Sequence, residues 1–209
     1  MKRISKILRG LLLAAALCLF CFSLPGLVEA SQQEGVFAGG CFWCLEHDLE
    51  NLPGVLKVES GYTGGNLSKP TYPNHKGHQE AVIVSFDSGK ISYEKLLRNY
   101  WRNVDPLDGG GQFCDRGDSY RPVIFTSGDS QRSDAIESMR AAAKELNQPA
   151  NALQVDIQDA QKFWLAEEYH QDFAKKNSLK YNFYRYSCAR DKRLDEVWGD
   201  EARSGKAWR

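Results

Sequence analysis

Hydrophobic spacing near the start of the chain predicts a strand, a tight turn and a helix. Val36-Phe-Ala runs apolar into Gly39-Gly40. After Cys41 the apolar positions recur every three or four residues, at Phe42, Leu45, Leu49 and Leu52. That spacing is typical of one face of a helix, and Pro53-Gly54 marks its end.

Two strands and a second helix follow in the pattern. Residues 55–60 and 78–86 are rich in strand-forming residues, and a loop of glycine and proline separates them. Ser92 stands where a helix cap is expected, ahead of an apolar stripe that ends before Asp105-Pro106.

The second half of the chain continues the mixture of strands and helices. We predict strands at residues 122–126 and 153–157 and helices at 129–147 and 163–176, the last with Phe163, Ala166, Tyr169 and Phe173 facing inward. Long loops and a late aromatic segment disfavour a regular doubly wound sheet. The expected fold is an α+β two-layer sandwich with a mixed sheet, a ferredoxin-like core, long loops and an irregular C-terminal segment.

Composition excludes two broad classes of protein. The 209 residues include 27 Lys and Arg, 27 Asp and Glu, and 42% hydrophobic residues. Such a chain has too much apolar surface for a disordered tail. It also has no excess of basic residues to neutralise phosphates, so a nucleic-acid partner is not expected.

The first 30 residues have the layout of a secretory signal. Four basic residues precede an apolar run of twelve residues, Leu11 to Phe22, and Val28 and Ala30 suit a cleavage site before Ser31. We therefore predict export to the periplasm or the exterior. The alternative is a membrane anchor through residues 11–24, but the apolar run is shorter than the roughly 20 residues that span a bilayer.

Removing the signal leaves one predicted domain, residues 31–209, with a C-terminal segment from about residue 177. It has 23 basic and 26 acidic residues, and its four cysteines are Cys41, Cys44, Cys114 and Cys188. An even number of cysteines in an exported protein suggests disulfides. A domain of this size can nevertheless bury a sufficient core without them, which leaves the cysteines available for chemistry.

Cys41 is the first candidate for chemistry because it stands at the predicted start of a helix. Unpaired backbone N–H groups and the helix dipole there stabilise an anion, so the pattern predicts a thiol with a lowered pKa. The alternatives are a plain Cys41–Cys44 disulfide or half of a zinc site. The zinc site lacks a second closely spaced ligand pair in the sequence, and no metal is predicted.

Six stretches in order resemble a known family. They are Gly40-Cys-Phe-Trp43, Gly61-Tyr-Thr-Gly-Gly65, Pro70-Thr-Tyr72, Gly77-His-Gln-Glu-Ala-Val82, Ser119-Tyr-Arg121 and Ala166-Glu-Glu-Tyr-His-Gln171. Together they closely resemble the A-type peptide methionine sulfoxide reductases, across roughly residues 35–198. The resemblance implies reduction of the S epimer of methionine sulfoxide, free or in proteins, to methionine.

The resemblance also implies roles for the residues of a catalytic site. Cys41 would be the nucleophile, Glu80 the acid, and Tyr72 and Tyr120 hydrogen-bond donors to the sulfoxide oxygen. Asp115, preferred to Asp118 in the same loop, would help to organise the site. Independently of the family, Glu80 shares a strand face with apolar residues, which predicts a raised pKa and a protonated carboxyl.

Aromatic and histidine residues complete the expected site. Phe42 and Trp43 resemble the family's wall for the substrate methyl group, and two successive aromatics at a helix start cannot both face the core. His78 and His170 match family positions, but we interpret both as hydrogen-bonded packing residues.

A second thiol must reduce the sulfenic acid that forms on Cys41, and two candidates remain. Cys188 resembles the family's C-terminal recycling cysteine, and Cys44 resembles the adjacent cysteine of members that carry Gly-Cys-Phe-Trp-Cys. Cys114 is left without a partner and is interpreted as structural. The family draws electrons from thioredoxin, so an exported copy implies a thioredoxin-like reductant; we expect no bound cofactor and a monomer.

Two other functions fit parts of the sequence. An exported thiol–disulfide oxidoreductase also places Cys-x-x-Cys at a helix start, but it would not require Glu80, Tyr72 or Tyr120. A binding module with an inert Cys41–Cys44 disulfide is the non-enzymatic alternative.

Overall fold

A computed structural model describes residues 31–208 of the chain. The predicted signal at residues 1–30 lies outside the described residues and remains a prediction. Among the residues described, no helix combines the length and apolar character needed to cross a bilayer.

A six-stranded mixed sheet forms the centre of the fold, in the order β7-β6-β1-β3-β2-β8. Its strands are β1 (Gln32–Ala38), β2 (Val55–Thr63), β3 (Gln79–Asp87), β6 (Val123–Thr126), β7 (Asp156–Asp159) and β8 (Trp164–Leu165). A separate small ribbon pairs β4 (Gly111–Gln112) with β5 (Asp115–Arg116). The only parallel pair in this sheet is β6 with β7, which are linked through a helix.

The helices are α1 (Phe42–Glu50), α2 (Tyr93–Trp101), α3 (Gly128–Glu145), α4 (Phe173–Lys176), α5 (Ser178–Ser187) and α6 (Arg190–Trp198). The first two begin where the sequence predicts. Ser92 caps α2 by accepting a hydrogen bond from the Lys95 N–H at 3.2 Å. The central strand order β6-β1-β3-β2, with helices between β1 and β2 and between β3 and β6, confirms the α+β fold with a ferredoxin-like core.

Alternation along the strands separates the two faces of the sheet. Phe37, Val82, Val84 and Phe86 pack into the main core with the helices, whereas Ala38 and Ala81 belong to a smaller cluster on the opposite face. Glu80 precedes Val82 by two residues and therefore points to the helical face. This register brings a carboxyl group to the start of α1.

The predicted helix over residues 163–176 is wrong in all but its last turn. The chain forms β8, a 3₁₀ turn at Glu168–His170 and then α4. The amide group of Gln171 bonds to both the N–H and the carbonyl of Ser60, and Glu167 bonds to the Tyr72 N–H at 2.9 Å. These bonds to β2 and its following loop hold the segment extended, so tertiary contacts override the helical spacing.

Two further predictions need correction. The strand expected at 153–157 lies at Asp156–Asp159, because a 3₁₀ turn occupies Ala150–Ala152. The C-terminal segment is not irregular, since α5 and α6 occupy most of it, and Ala189 between them has a φ of 52°.

Buried Arg102 also holds the end of the chain by donating to the Lys206 carbonyl at 2.7 Å.

Candidate active site

A glycine turn brings Cys41 to the start of α1. Gly40 has a φ of 82°, and a Cβ there would lie 2.6 Å from Cβ of Gln112. Glycine alone meets both constraints without strain. The turn therefore leads from the end of β1 to Cys41, the residue that directly precedes α1.

Glu80 lies beside this thiol in the direction that its strand register requires. Its side chain is buried, and the backbone N–H of Phe42 donates to its Oε2 at 3.2 Å. Burial outweighs that hydrogen bond and raises the pKa of Glu80 to about 8. The predicted burial and raised pKa are confirmed, so the carboxyl is protonated at neutral pH and can act as an acid.

A small cavity of about 50 Å³ joins these two residues to the other predicted side chains. Its lining consists of Cys41, Phe42, Trp43, Tyr72, Glu80, Asp115, Tyr120 and Tyr184. Seven of the eight are residues that the sequence singles out. Tyr72, from the loop after β2, is 40% exposed, so the cavity opens at its edge.

Phe42 and Trp43 form the aromatic wall of the cavity, and they differ in exposure as predicted. Phe42 is buried and Trp43 is partly exposed. Trp43 stacks on Phe173 with ring centroids 3.7 Å apart, and its Nε1 donates to Nδ1 of His170 at 3.0 Å. These two contacts fix the ring against the cavity.

The two histidines have the packing roles expected of them. His78 is buried and accepts a hydrogen bond from the Gly65 N–H at Nδ1, so its Nε2 donates to the Leu67 carbonyl at 2.9 Å. His170 is also buried, and burial lowers its pKa. A neutral His170 can accept the indole N–H of Trp43, and it therefore orients the cavity wall.

Tyr184 is the cavity residue that sequence reasoning missed. Its hydroxyl donates to Oδ2 of Asp115 and lies in hydrogen-bonding contact with Cys41. Tyr184 comes from α5, far along the chain from Cys41. The sequence shows only that this segment is rich in aromatic residues, which does not indicate what they contact. Asp115, by contrast, lies where it was predicted, and burial raises its pKa.

The predicted lowering of the Cys41 pKa is wrong. Cys41 is only 6% exposed, and burial, followed by a hydrogen bond from its thiol to Cys44, raises its pKa well above the usual value. The Cys44 pKa is lowered, first by that hydrogen bond and further by the charge of nearby Arg190. Loss of solvent among the aromatic walls outweighs the helix N-terminus at Cys41.

Cys44 lies in a region of buried positive charge supplied by α5 and α6. Arg190 is fully buried, bonds to the Asn103 carbonyl at 2.6 Å, and lies 3.5 Å from Asp48. Arg185 contacts the same Asp48 at 2.8 Å. The charges of Arg190 and Arg185 lower the pKa of Cys44, whereas the charge of Asp48 raises it.

The four cysteines among the described residues fall into two pairs. Cys41 and Cys44 are free and buried, whereas Cys114 and Cys188 form a disulfide across 74 positions of sequence. Cys114, which the sequence left as a surplus thiol interpreted as structural, is thus bonded to Cys188. Cys114, Asp115 and Cys188 also group three potential metal ligands, but sulfur in a disulfide lacks the thiolate charge that binds zinc.

Comparisons with known proteins agree with this geometry. The model of the peptide methionine sulfoxide reductase family matches residues 33–202. A peptide methionine sulfoxide reductase MsrA 2 of Caulobacter vibrioides is 53% identical, covering 90% of this chain and 96% of its own length. A peptide methionine sulfoxide reductase MsrA of Bacillus licheniformis is 48% identical, covering 78% and 92%.

Solved structures show the same fold. Methionine sulfoxide reductase A of Corynebacterium diphtheriae superposes with a TM-score of 0.65 at 27% identity, covering 71% of this chain and 76% of its own. Reduced Mxr1 of Saccharomyces cerevisiae gives a TM-score of 0.65 at 25% identity, covering 70% and 86%. The chain belongs to the peptide methionine sulfoxide reductase family of oxidoreductases.

Proposed function

We propose that this protein reduces the S epimer of methionine sulfoxide, free or in proteins, to methionine and so repairs oxidised proteins. The observation that carries the proposal is the cavity that holds the Cys41 thiol, the protonated Glu80 carboxyl and the hydroxyls of Tyr72 and Tyr120 together. A nucleophile, an acid and two donors are what sulfoxide reduction requires.

Cys41 attacks the sulfoxide sulfur in the first step. The oxygen is a poor leaving group unless it gains a proton or strong hydrogen bonds, and Glu80 supplies the proton while Tyr72 and Tyr120 donate to it. Oxygen ends on Cys41 as a sulfenic acid and the substrate leaves as the thioether. The proton that Cys41 gives up restores the carboxyl group of Glu80, so the thiol and the sulfoxide are the only reactants consumed in this step.

The aromatic wall and the size of the cavity limit what can enter. The small cavity suits the methyl and sulfoxide groups at the tip of a side chain. Phe42 and Trp43 provide apolar surface for the methyl group, and the exposed edge at Tyr72 leaves the rest of a peptide outside. This geometry supports substrates presented within proteins as well as free ones.

Cys44 resolves the sulfenic acid first in this proposal. It lies one helical turn from Cys41 and already receives the hydrogen bond of the Cys41 thiol. Attack by the Cys44 thiolate on the Cys41 sulfur forms a Cys41–Cys44 disulfide and releases the oxygen as water. Cys188 then joins the recycling, for which a thioredoxin-like dithiol supplies the electrons.

The setting proposed for this activity is outside the cytoplasm. Cleavage of the signal after Ala30 would release a mildly acidic domain, which acts as a monomer in this proposal. Electrons would then have to reach a thioredoxin-like reductant across the membrane. The mass of the protein's N-terminal peptide, purified from its source, tests the cleavage directly.

The activity itself is tested with separated epimers. Purified mature protein should convert a peptide containing methionine (S)-sulfoxide to methionine with dithiothreitol, and should leave the R epimer unchanged. A thiol–disulfide oxidoreductase would instead reduce insulin disulfides and produce no methionine, and an inert binding module would do neither. Absence of methionine from both epimers would end the proposal.

A further inference from the structure

We infer that Cys114 is the last thiol of the recycling relay, and that the surface Cys114–Cys188 disulfide is the bond on which the external reductant acts. The inference deepens the proposed function and rests on it. It assigns a task to Cys114, the cysteine that the motifs of the chain leave unexplained.

The first argument is access. A reductant must bring a thiolate in line with a disulfide sulfur. Cys44 is only 1% exposed and Cys41 only 6%, so a protein partner cannot reach a disulfide between them. Cys114 is exposed and Cys188 partly exposed. Of the two pairs, only the second presents sulfur to a macromolecular reductant.

The second argument is the short connection between the two pairs. The Cys114 and Cys188 sulfurs and a carboxyl oxygen of Asp115 lie within 4.8 Å of one another. Asp115 accepts the hydrogen bond of Tyr184, which contacts Cys41. Asp115 and Tyr184 both line the cavity, so Asp115 links the surface disulfide to the catalytic residues. Cys188 directly follows α5, the helix that carries Tyr184 into the cavity.

The transfer proceeds by two thiol–disulfide exchanges that conserve electrons. The Cys188 thiolate attacks Cys44 of the Cys41–Cys44 disulfide, and Cys41 leaves and takes up a proton. The Cys114 thiolate then attacks the Cys188 sulfur, forms Cys114–Cys188 and releases Cys44. Two electrons pass from the Cys114 and Cys188 thiols to the buried pair, so no further reactant is required until the external dithiol reduces the surface bond.

Charges near Cys44 favour the second exchange. A thiol with a lower pKa leaves more readily from a mixed disulfide, and Arg190 and the hydrogen bond from Cys41 stabilise the Cys44 thiolate. The product of the two exchanges has free Cys41 and Cys44 and a Cys114–Cys188 disulfide. That is the arrangement of cysteines in this structure.

The experiment is disulfide mapping after one turnover. The mature enzyme is fully reduced, freed of reductant, given one equivalent of methionine (S)-sulfoxide, alkylated in acid and mapped by mass spectrometry. We expect one methionine per chain, a Cys114–Cys188 bond, and alkylated Cys41 and Cys44. A dominant Cys41–Cys44 or Cys44–Cys188 bond, with Cys114 alkylated, overturns the inference. Failure to form methionine would instead refute the proposed function, so the two failures are distinguishable.

Variants separate a relay thiol from a structural crosslink. In Cys114→Ser the disulfide formed after one turnover should remain at Cys41–Cys44 or Cys44–Cys188. Turnover with thioredoxin, its reductase and NADPH should fall about tenfold, because the accessible disulfide cannot form. Arg116→Lys, in the same exposed ribbon, is the matched control and should map like the parent enzyme. Full thioredoxin-driven turnover in Cys114→Ser would contradict the relay even if that variant is less stable.

Discussion

The two cysteine pairs in the described part of the chain differ in burial, in bonding and in sequence separation. Cys41 and Cys44 lie one helical turn apart, buried and free, beside an acid and aromatic walls. Cys114 and Cys188 join distant parts of the chain at the surface. Burial serves the reaction with sulfoxide because it keeps Glu80 protonated, but it also blocks a protein reductant. The second pair resolves this conflict by placing exchange where solvent and partners have access.

Substitutions in the buried pair should have the largest effect on activity, and they test the difference between the two pairs most directly. Cys41→Ser should abolish methionine formation, because a hydroxyl with no nearby base is a far weaker nucleophile than a thiol. Cys44→Ser should still release one methionine per chain and leave a sulfenic acid on Cys41 that dimedone traps. Single-turnover chromatography and mass spectrometry provide both readings; residual steady activity in Cys41→Ser would rule out the assigned nucleophile.

Glu80→Gln should lower the rate of the reductive step by about 10²- to 10⁴-fold, the usual contribution of a general acid. Because the pKa of Glu80 is about 8, the rate in the parent enzyme should also fall as pH rises through that value. Glu46→Gln is the matched control, since Glu46 is buried with a pKa raised to about 7 but does not line the cavity. Equal losses in both variants would point to misfolding rather than to acid catalysis.

Tyr184→Phe should lower kcat/KM by about tenfold, because the hydroxyl that holds Asp115 and contacts Cys41 is lost while the ring remains. Tyr186→Phe, on the exposed face of the same helix, should leave the kinetics unchanged. If both variants behave alike, Tyr184 fills space and does not position the site.

A stability measurement tests the surface pair, with a smaller expected effect. Reduction of Cys114–Cys188 releases a loop of 74 residues and should lower the free energy of unfolding by about 2–4 kcal/mol. Urea titrations of the parent enzyme with and without reductant measure this difference, and Cys114→Ser should lose that dependence.

The buried acid has its own signature in stability against pH. Folding raises the pKa of Glu80 from 4.5 to about 8, so the folded state keeps a proton that the unfolded state releases. Stability from this group is present below the unfolded value and is lost as pH rises through the folded one. Between pH 5.5 and 8.5 the parent enzyme should lose on the order of 3 kcal/mol more than Glu80→Gln.

The sequence predicts best where one local pattern decides the outcome. The Ser92 cap, the apolar face of α1 and the alternation that buries Glu80 each follow from spacing within a single element. The helix expected at 163–176 fails because Gln171 and Glu167 bond to residues about a hundred positions earlier. No local spacing carries that information.

The chemistry of the site divides in the same way. The motif predicts that Cys41 stands at the start of a helix beside the acid. The direction in which its pKa shifts depends instead on how completely residues from distant parts of the chain exclude water. The pairing of Cys114 with Cys188 and the entry of Tyr184 into the cavity both depend on how α5 packs. These are properties of the assembled fold.

The hydrogen bond between the Phe42 N–H and Glu80 does not depend on which side chain stands at position 42. Its donor is main chain, so nineteen of the twenty amino acids supply it and only proline removes it. A substitution at this position would reshape the methyl wall and keep the main-chain donor to the acid, although it would also change a buried ring of the main core. A designer who wants this enzyme to accept larger sulfoxides should begin there.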